Sequence, residues 1–178
     1  MSENKDVYSQ TKGQMRLSER IAAFIPGFRG YKEKEMRRES DRLIRNHLNL
    51  KLSNAKSDLR TIFQKLSDRR YFDVITDMDR LVAKMDRVVE KVNHANYGYT
   101  GFFDAVKVKE DALDRMIDFD NKLIDGVTDV ATEIDAFKTE LASGETKNMK
   151  TRIQTITDKL ENFESTFDSR DEVIMGVA

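Results

Sequence analysis

Apolar side chains return along this chain at helical intervals. Val74, Met78, Leu81, Met85, Val88 and Val92 repeat at steps of four and three, flanked by Ile75, Val82 and Val89. Met149, Ile153, Ile156, Leu160, Phe163 and Phe167 keep the same rhythm, and Val173 and Ile174 follow. A spacing that averages about 3.5 holds one row of side chains on one face of a helix and demands a second helix to cover it. A third row runs through Met36, Ser40, Leu43, Leu48, Leu52, Ala55, Leu59, Ile62 and Leu66, widened by Ile44 and Phe63. A fourth runs through Val106, Leu113, Met116, Leu123, Val127, Val130, Ile134, Phe137 and Leu141. Lys109 and Asp120 fall within this last row, and Gly126 weakens its helix locally.

These rows predict long helices over about 31–69, 72–97, 104–142 and 146–176. Upstream, Leu17, Ile21, Phe24, Ile25 and Phe28 fall at i, i+4, i+7, i+8 and i+11, a short amphipathic helix over 14–25. Pro26 drives Ile25 out of the helical region and stops it. Residues 1–13 are polar and read as a disordered tail, which leaves 14–178 as a single helical-bundle domain.

The punctuation between the rows is uneven. Tyr97-Gly98-Tyr99-Thr100-Gly101 is the strongest loop, with Asp104 positioned as an N-cap after it. Ala142-Ser143-Gly144-Glu145 reads as a helix–helix turn with Gly144 just past the helix end. Residues 67–73 break the rhythm with neither glycine nor proline, so a tight turn competes with one continuous helix over 32–97. Short connections force antiparallel neighbours. The fold class is all-α: an elongated antiparallel bundle of about four long helices with coiled-coil-like seams and a short N-terminal amphipathic helix.

Composition agrees. Charged residues make up 35% and hydrophobic residues 39%, which suits helices that bury one stripe and solvate the rest. The absence of cysteine excludes disulfides, thiolate metal sites and cysteine nucleophiles. No apolar run approaches the ~20 residues that span a bilayer, and the opening MSENKDVYSQ lacks the features of a signal peptide. The reading is a soluble, cytoplasmic protein. The net charge of −1 hides a split: residues 1–70 hold 17 Lys+Arg against 9 Asp+Glu, and residues 71–178 hold 14 against 23. A basic first helix lying beside acidic later ones accounts for this, with an anionic partner for the basic half as the alternative.

Candidate chemistry is sparse. Di-iron bundles use Glu-x-x-His on facing helices, whereas the chain has only His47 and His94, and Glu90 precedes His94 by four. No phosphate-binding loop, dinucleotide fingerprint, nucleophile elbow or zinc-protease motif is present. No cofactor, metal or small-molecule substrate is expected, and the chain is read as no enzyme. Asp120 on the seam is either buried against a basic partner or wet, with Phe119 turned inward in its place. The basic stretch from Arg29 to Arg45 is interleaved with Glu33, Glu35, Glu39 and Asp41, which fits a salt-bridged exposed face better than a nucleic-acid footprint. The amphipathic segment 15–28 suits a plug for one end of the bundle, or a membrane-surface contact.

Two motifs carry a resemblance. Ile25-Pro26-Gly27-Phe28-Arg29-Gly30-Tyr31-Lys32-Glu33-Lys34-Glu35 continues through Arg37-Arg38-Glu39-Ser40-Asp41-Arg42-Leu43, and the second motif runs Tyr97-Gly98-Tyr99-Thr100-Gly101-Phe102-Phe103-Asp104-Ala105-Val106-Lys107. Together they resemble a family of small, functionally uncharacterised prokaryotic helical proteins, over most of residues 15–140. The resemblance implies no activity and carries over no catalytic residue. It implies that the Pro26 turn and the tyrosine-glycine loop belong to a shared fold, both at changes of chain direction.

The function expected is therefore non-enzymatic: a protein–protein interaction or scaffold bundle, with a protein partner or self-association. Its contact surface would be Phe24, Phe28, Arg29, Tyr31, Tyr97, Tyr99, Phe102 and Phe103. The alternative is peripheral association with a membrane surface through the N-terminal amphipathic segment and the basic first half.

Overall fold

The structure, a computed structural model, describes residues 18–28, 34–95 and 110–169. Among them the regular structure is helical throughout, with no strand. A short helix, α1, covers 18–24. Four longer ones follow: α2 (Lys34–Asp68), α3 (Phe72–His94), α4 (Glu110–Ser143) and α5 (Met149–Asp168). Residues 67–73 hold a turn, so one helix over 32–97 is ruled out. The expected tail 1–13, the tyrosine-glycine loop, the cap at Asp104 and the apolar pair Val173 and Ile174 lie outside the described residues.

The chain gathers into two compact units. One comprises Leu48–Ala95 and Leu123–Asp168; the other comprises Met1–His47, Asn96–Lys122 and Ser169–Ala178. In the first, each of the four long helices contributes a buried row with steps of 4, 3, 4, 3 and 4. The rows are Leu48 to Leu66 on α2, Val74 to Val92 on α3, Leu123 to Leu141 on α4 and Met149 to Phe167 on α5. Full burial of one such side chain stabilises by about 1.5–3 kcal/mol, and an exposed ion pair by about 0.2–1 kcal/mol. The apolar rows therefore hold the unit together, and charge decides which flanks meet.

The interhelix pairs fix every neighbour and its direction. Between α2 and α3, Asn49 donates to Asn93 at 3.3 Å, and Lys56 and Arg60 reach Asp86 at 3.0 and 3.1 Å, so these helices run antiparallel. Between α4 and α5, Arg152 binds Glu140 and Glu133 while Lys159 faces Glu133 at 3.5 Å and Asp129 at 3.8 Å, again antiparallel. Across the hairpins the sense changes. Lys84 pairs with Glu161, and Lys91 with Glu164 and Asp168 at 2.9 Å each, so α3 and α5 ascend together. Lys138 pairs with Asp58, and the Arg69 guanidinium donates to the Leu141 carbonyl at 3.0 Å, so α2 and α4 do likewise. Antiparallel neighbours hold within each helical hairpin; between hairpins the bundle-like packing is parallel.

The first hairpin turn explains its missing glycine. Tyr71 N donates to Leu66 O and Arg70 N to Ser67 O, both at 3.0 Å, the paired bonds of a Schellman helix end. The residue at the left-handed position is Arg70, with φ +59°. The second hairpin meets the same need in the ordinary way: Gly144 has φ +83°, and Glu145 N donates to Glu140 O at 2.9 Å. Gly126 has a packing reason. A Cβ there would stand 3.3 Å from Phe163 Cδ2, so the glycine makes room on α4 for a buried ring of α5 that also stacks on Phe167 at 6.1 Å.

In the other unit, Ile21, Ile25 and Phe28 are buried, and Ile25 N donates to Ile21 O at 2.8 Å as the helix ends. The backbone at Gly27 passes close enough to Leu43 that a Cβ would touch its Cδ1 at 3.6 Å. The seam of α2 here departs from the expected one: Ser40 and Ile44 are buried and Leu43 is only half-buried. Successive steps of four carry a row round a helix by about 40° each, which brings Ile44 inward in place of Leu43. On α4, residues 116, 117, 119, 120 and 121 are all buried. Asp118 and Lys122 stay in water, paired i to i+4 at 2.7 Å.

Two substitutions test this account. Arg70→Gly removes a Cβ from a left-handed backbone position and should stabilise by about 0.5–1 kcal/mol, raising Tm by roughly 1–4 °C in a thermal melt. An unchanged or lower Tm would refute the strained turn. At Gly126, Ala gains about 1 kcal/mol of helix propensity against mild crowding and should be near neutral. Gly126→Leu should lose about 1–3 kcal/mol by overpacking Phe163, read by urea denaturation.

Candidate functional site

The eight residues expected to form a contact surface divide sharply. Phe24 and Phe28 lie in one turn of the chain around Pro26. Phe24 is 50% exposed, on the last residue of α1, although Ile21, Ile25 and Phe28 around it in sequence are buried. Phe28, at 8% exposure, belongs to the interior and offers little surface. Arg29, Tyr31, Tyr97, Tyr99, Phe102 and Phe103 lie outside the described residues. The segment thus buries Ile21, Ile25 and Phe28 and leaves the Phe24 ring half in water.

Of the two alternatives at Asp120, the wet one is overturned: the carboxylate is buried, although Phe119 is turned inward as well. Asp120 is 1% exposed, and Phe119 is buried beside it at 7%. Asn121 is buried as well, and its side-chain amide donates to Ile117 O at 2.9 Å. Burying polar groups is costly unless they are hydrogen-bonded, and here three consecutive side chains leave water where an amphipathic helix would bury about one. Sequence reasoning missed Asn121 as a buried residue. The only available signal was the apolar run Met116, Ile117, Phe119 on either side of Asp118, too wide for a single seam.

No group of three His, Cys, Asp or Glu side chains gathers around a metal-sized space among the described residues. His94 is exposed and lies 3.2 Å from Glu90, an i to i+4 surface pair. Two exposed apolar side chains were not foreseen, Leu50 at 62% on α2 and Phe72 at 73% at the start of α3. Singly exposed apolar residues are ordinary on folded surfaces. No helix among the described residues is long and apolar enough to cross a membrane.

The electrostatics are those of helix flanks. Hydrogen bonds from Arg152 hold the Glu140 carboxyl below its usual 4.5. Burial pushes Asp86 up, and hydrogen bonds from Lys56 and Arg60 more than offset this, leaving it below 3.8. Hydrogen bonds to Asp168 and then Glu164 raise Lys91 above 10.5. Among the described residues the basic first long helix does meet an acid on a later one, Lys56 and Arg60 of α2 against Asp86 of α3, and further pairs add to this. Cations on α3 and α5 bind acids on α5 and α4, and α2 itself supplies the acid Asp58 to Lys138.

No family model, curated protein or solved structure matches the chain. The resemblance carried by the Pro26 and Tyr97 motifs therefore brings no residue role with it, and function has to be argued from the surface.

The carboxylate shifts set a pH dependence. A carboxyl whose folded pKa lies below its unfolded value contributes stability above the unfolded value and loses it as pH falls through the folded one. Lys91, shifted up, contributes below its ordinary value and loses that as pH rises through the folded one. Tm should be level from about pH 5 to about pH 9 and fall on both sides. Glu140→Gln should destabilise by roughly 0.5–1 kcal/mol across the level region, lowering Tm there, and make the acid fall shallower, measured by melts across pH.

Proposed function

We propose that this chain is a non-enzymatic interaction or scaffold protein, built on a four-helix bundle of two antiparallel hairpins with coiled-coil-like seams. Its N-terminal amphipathic helix is packed into the protein. The observation that carries the reading is Phe24. A ring left half in water, on a helix end whose neighbouring apolar residues are buried, is a preformed aromatic anchor. Aromatic anchors of this kind dominate binding energy at protein contacts. The surrounding fold supports the role, because the turn that presents Phe24 is held by Ile21, Ile25 and Phe28 and needs no ordering upon binding.

The burial of those three residues also weighs against the membrane reading. Insertion into lipid would need the apolar stripe of the segment, and that stripe is spent on the interior. Phe24 alone buries too little area to anchor the chain in a bilayer.

The test is a photo-crosslinking phenylalanine analogue at position 24, introduced in cells of the native organism, with exposed Leu50 as the control position. The expected result is a discrete protein adduct, another copy of the chain or a partner, at 24 and not at 50. Phe24→Asp should abolish the corresponding association in sedimentation velocity at unchanged Tm. Adducts to lipid alone, or none at either position, would overturn the proposal.

A further inference from the structure

Along α3, Arg80, Lys84, Arg87 and Lys91 recur at steps of 4, 3 and 4, so they share one face of the helix. That face flanks the contact with the parallel helix α5. Along the C-terminal half of α5, Glu161 meets Lys84, and Glu164 and Asp168 meet Lys91. In the N-terminal half α5 offers Lys150, Gln154 and Thr157 in place of acids. A shallow groove of about 400 Å³ opens there, with Leu81 and Ile153 in its floor. Arg80 pairs only with Asp77 of its own helix, at 3.6 Å, and remains 77% exposed. Arg87 and Lys150 take no ion pair among the described residues.

A helix flank normally sets opposite charges against each other. Here the groove sets four cations, Arg80, Lys84, Arg87 and Lys150, against two acids, Asp77 and Glu161, which pair with Arg80 and Lys84, so Arg87 and Lys150 leave it with an excess of positive charge. We propose that this groove between α3 and α5 docks an acidic helical segment of a partner protein. Carboxylates at i, i+4 and i+7 of such a segment would match the spacing of Arg80, Lys84 and Arg87, with a small apolar side chain against Leu81 and Ile153. Lys150 lies about 16 Å along α5 from Glu161, so the groove is long enough for several turns of peptide. A nucleic acid fits less well. Its phosphates repeat uniformly and could not avoid Asp77 and Glu161, whereas a peptide can place a neutral or basic side chain opposite each of them.

This proposal deepens the interaction reading but does not use Phe24, so the two fail separately. The test uses the full chain labelled with nitrogen-15. It is titrated with a synthetic amphipathic helix carrying Glu at i, i+4 and i+7, with the same peptide carrying Lys in place of Glu, with inorganic triphosphate and with a single-stranded oligonucleotide. The expected result is amide shifts confined to residues 77–87 and 150–161 with the Glu peptide alone, weakened at least about fivefold between low and high salt. The double variant Arg87→Glu with Lys150→Glu should lose this binding at least about tenfold and melt no lower than the parent, since neither residue supports another. Equal binding by the double variant, no shifts with the Glu peptide, or tighter binding of triphosphate or oligonucleotide would overturn the proposal.

Discussion

The helical hairpins depend on hiding four rows of apolar side chains at once. A lone helix with the row Leu48, Leu52, Ala55, Leu59, Ile62 and Leu66 would leave all six in water. Only a ring of helices in which each covers two neighbours buries every row. The ion pairs show that ring closed on all four sides, α2 to α3, α3 to α5, α5 to α4 and α4 to α2. Everything else follows from keeping the ring intact. A glycine at 126 admits Phe163, an arginine is held at a left-handed angle to turn the chain within three residues, and cations reach across each flank.

The direction of the helices in that ring is a separate matter from the rows. Burial is indifferent to whether a neighbour runs up or down. Tight turns make α2–α3 and α4–α5 antiparallel, as short connections must. Once each hairpin is formed, placing them side by side puts α2 against α4 and α3 against α5 with matched sense. Lys91 is the clearest witness: its partners Glu164 and Asp168 lie near the end of α5, as Lys91 lies near the end of α3. The consecutive helices α3 and α4 then sit on a diagonal and need no shared flank.

How much of this was legible in the sequence depends on the kind of information each feature carries. The rows of α3 and α5 were legible residue by residue, because a repeat of 3.5 is a one-dimensional signal. Leu43 was read as seam where Ile44 is, because steps of four and three are equally helical and only the neighbours decide which side chain they cover. The turn at Arg70 was half legible. The broken rhythm marked it, but the residue that usually announces a left-handed helix end was absent, so sequence alone could not separate a turn from continuation. Asp120 defeated the pattern for another reason. A seam argument assumes one buried face, and at 119–121 α4 is buried on nearly all sides. Of the expected contact surface, Phe24 and Phe28 had equal claims as aromatics on one stripe. Their burial separates them, and burial is set by what lies opposite.

The division between structure and function in this chain follows from the same economy. Residues on the rows cannot be spared for binding, since each carries more stability than any surface pair. What remains is the flank and the tip. At the flanks many charges answer one another across helices, whereas Arg87 and Lys150, which line one groove, meet no acid among the described residues. At the tip of the N-terminal turn, Ile21, Ile25 and Phe28 are drawn inward and Phe24 is not. A protein with few chemically special side chains can still be specific in this way. Its rigid parts fix where the exceptions point, and the exceptions, few and differently charged, define what can be recognised.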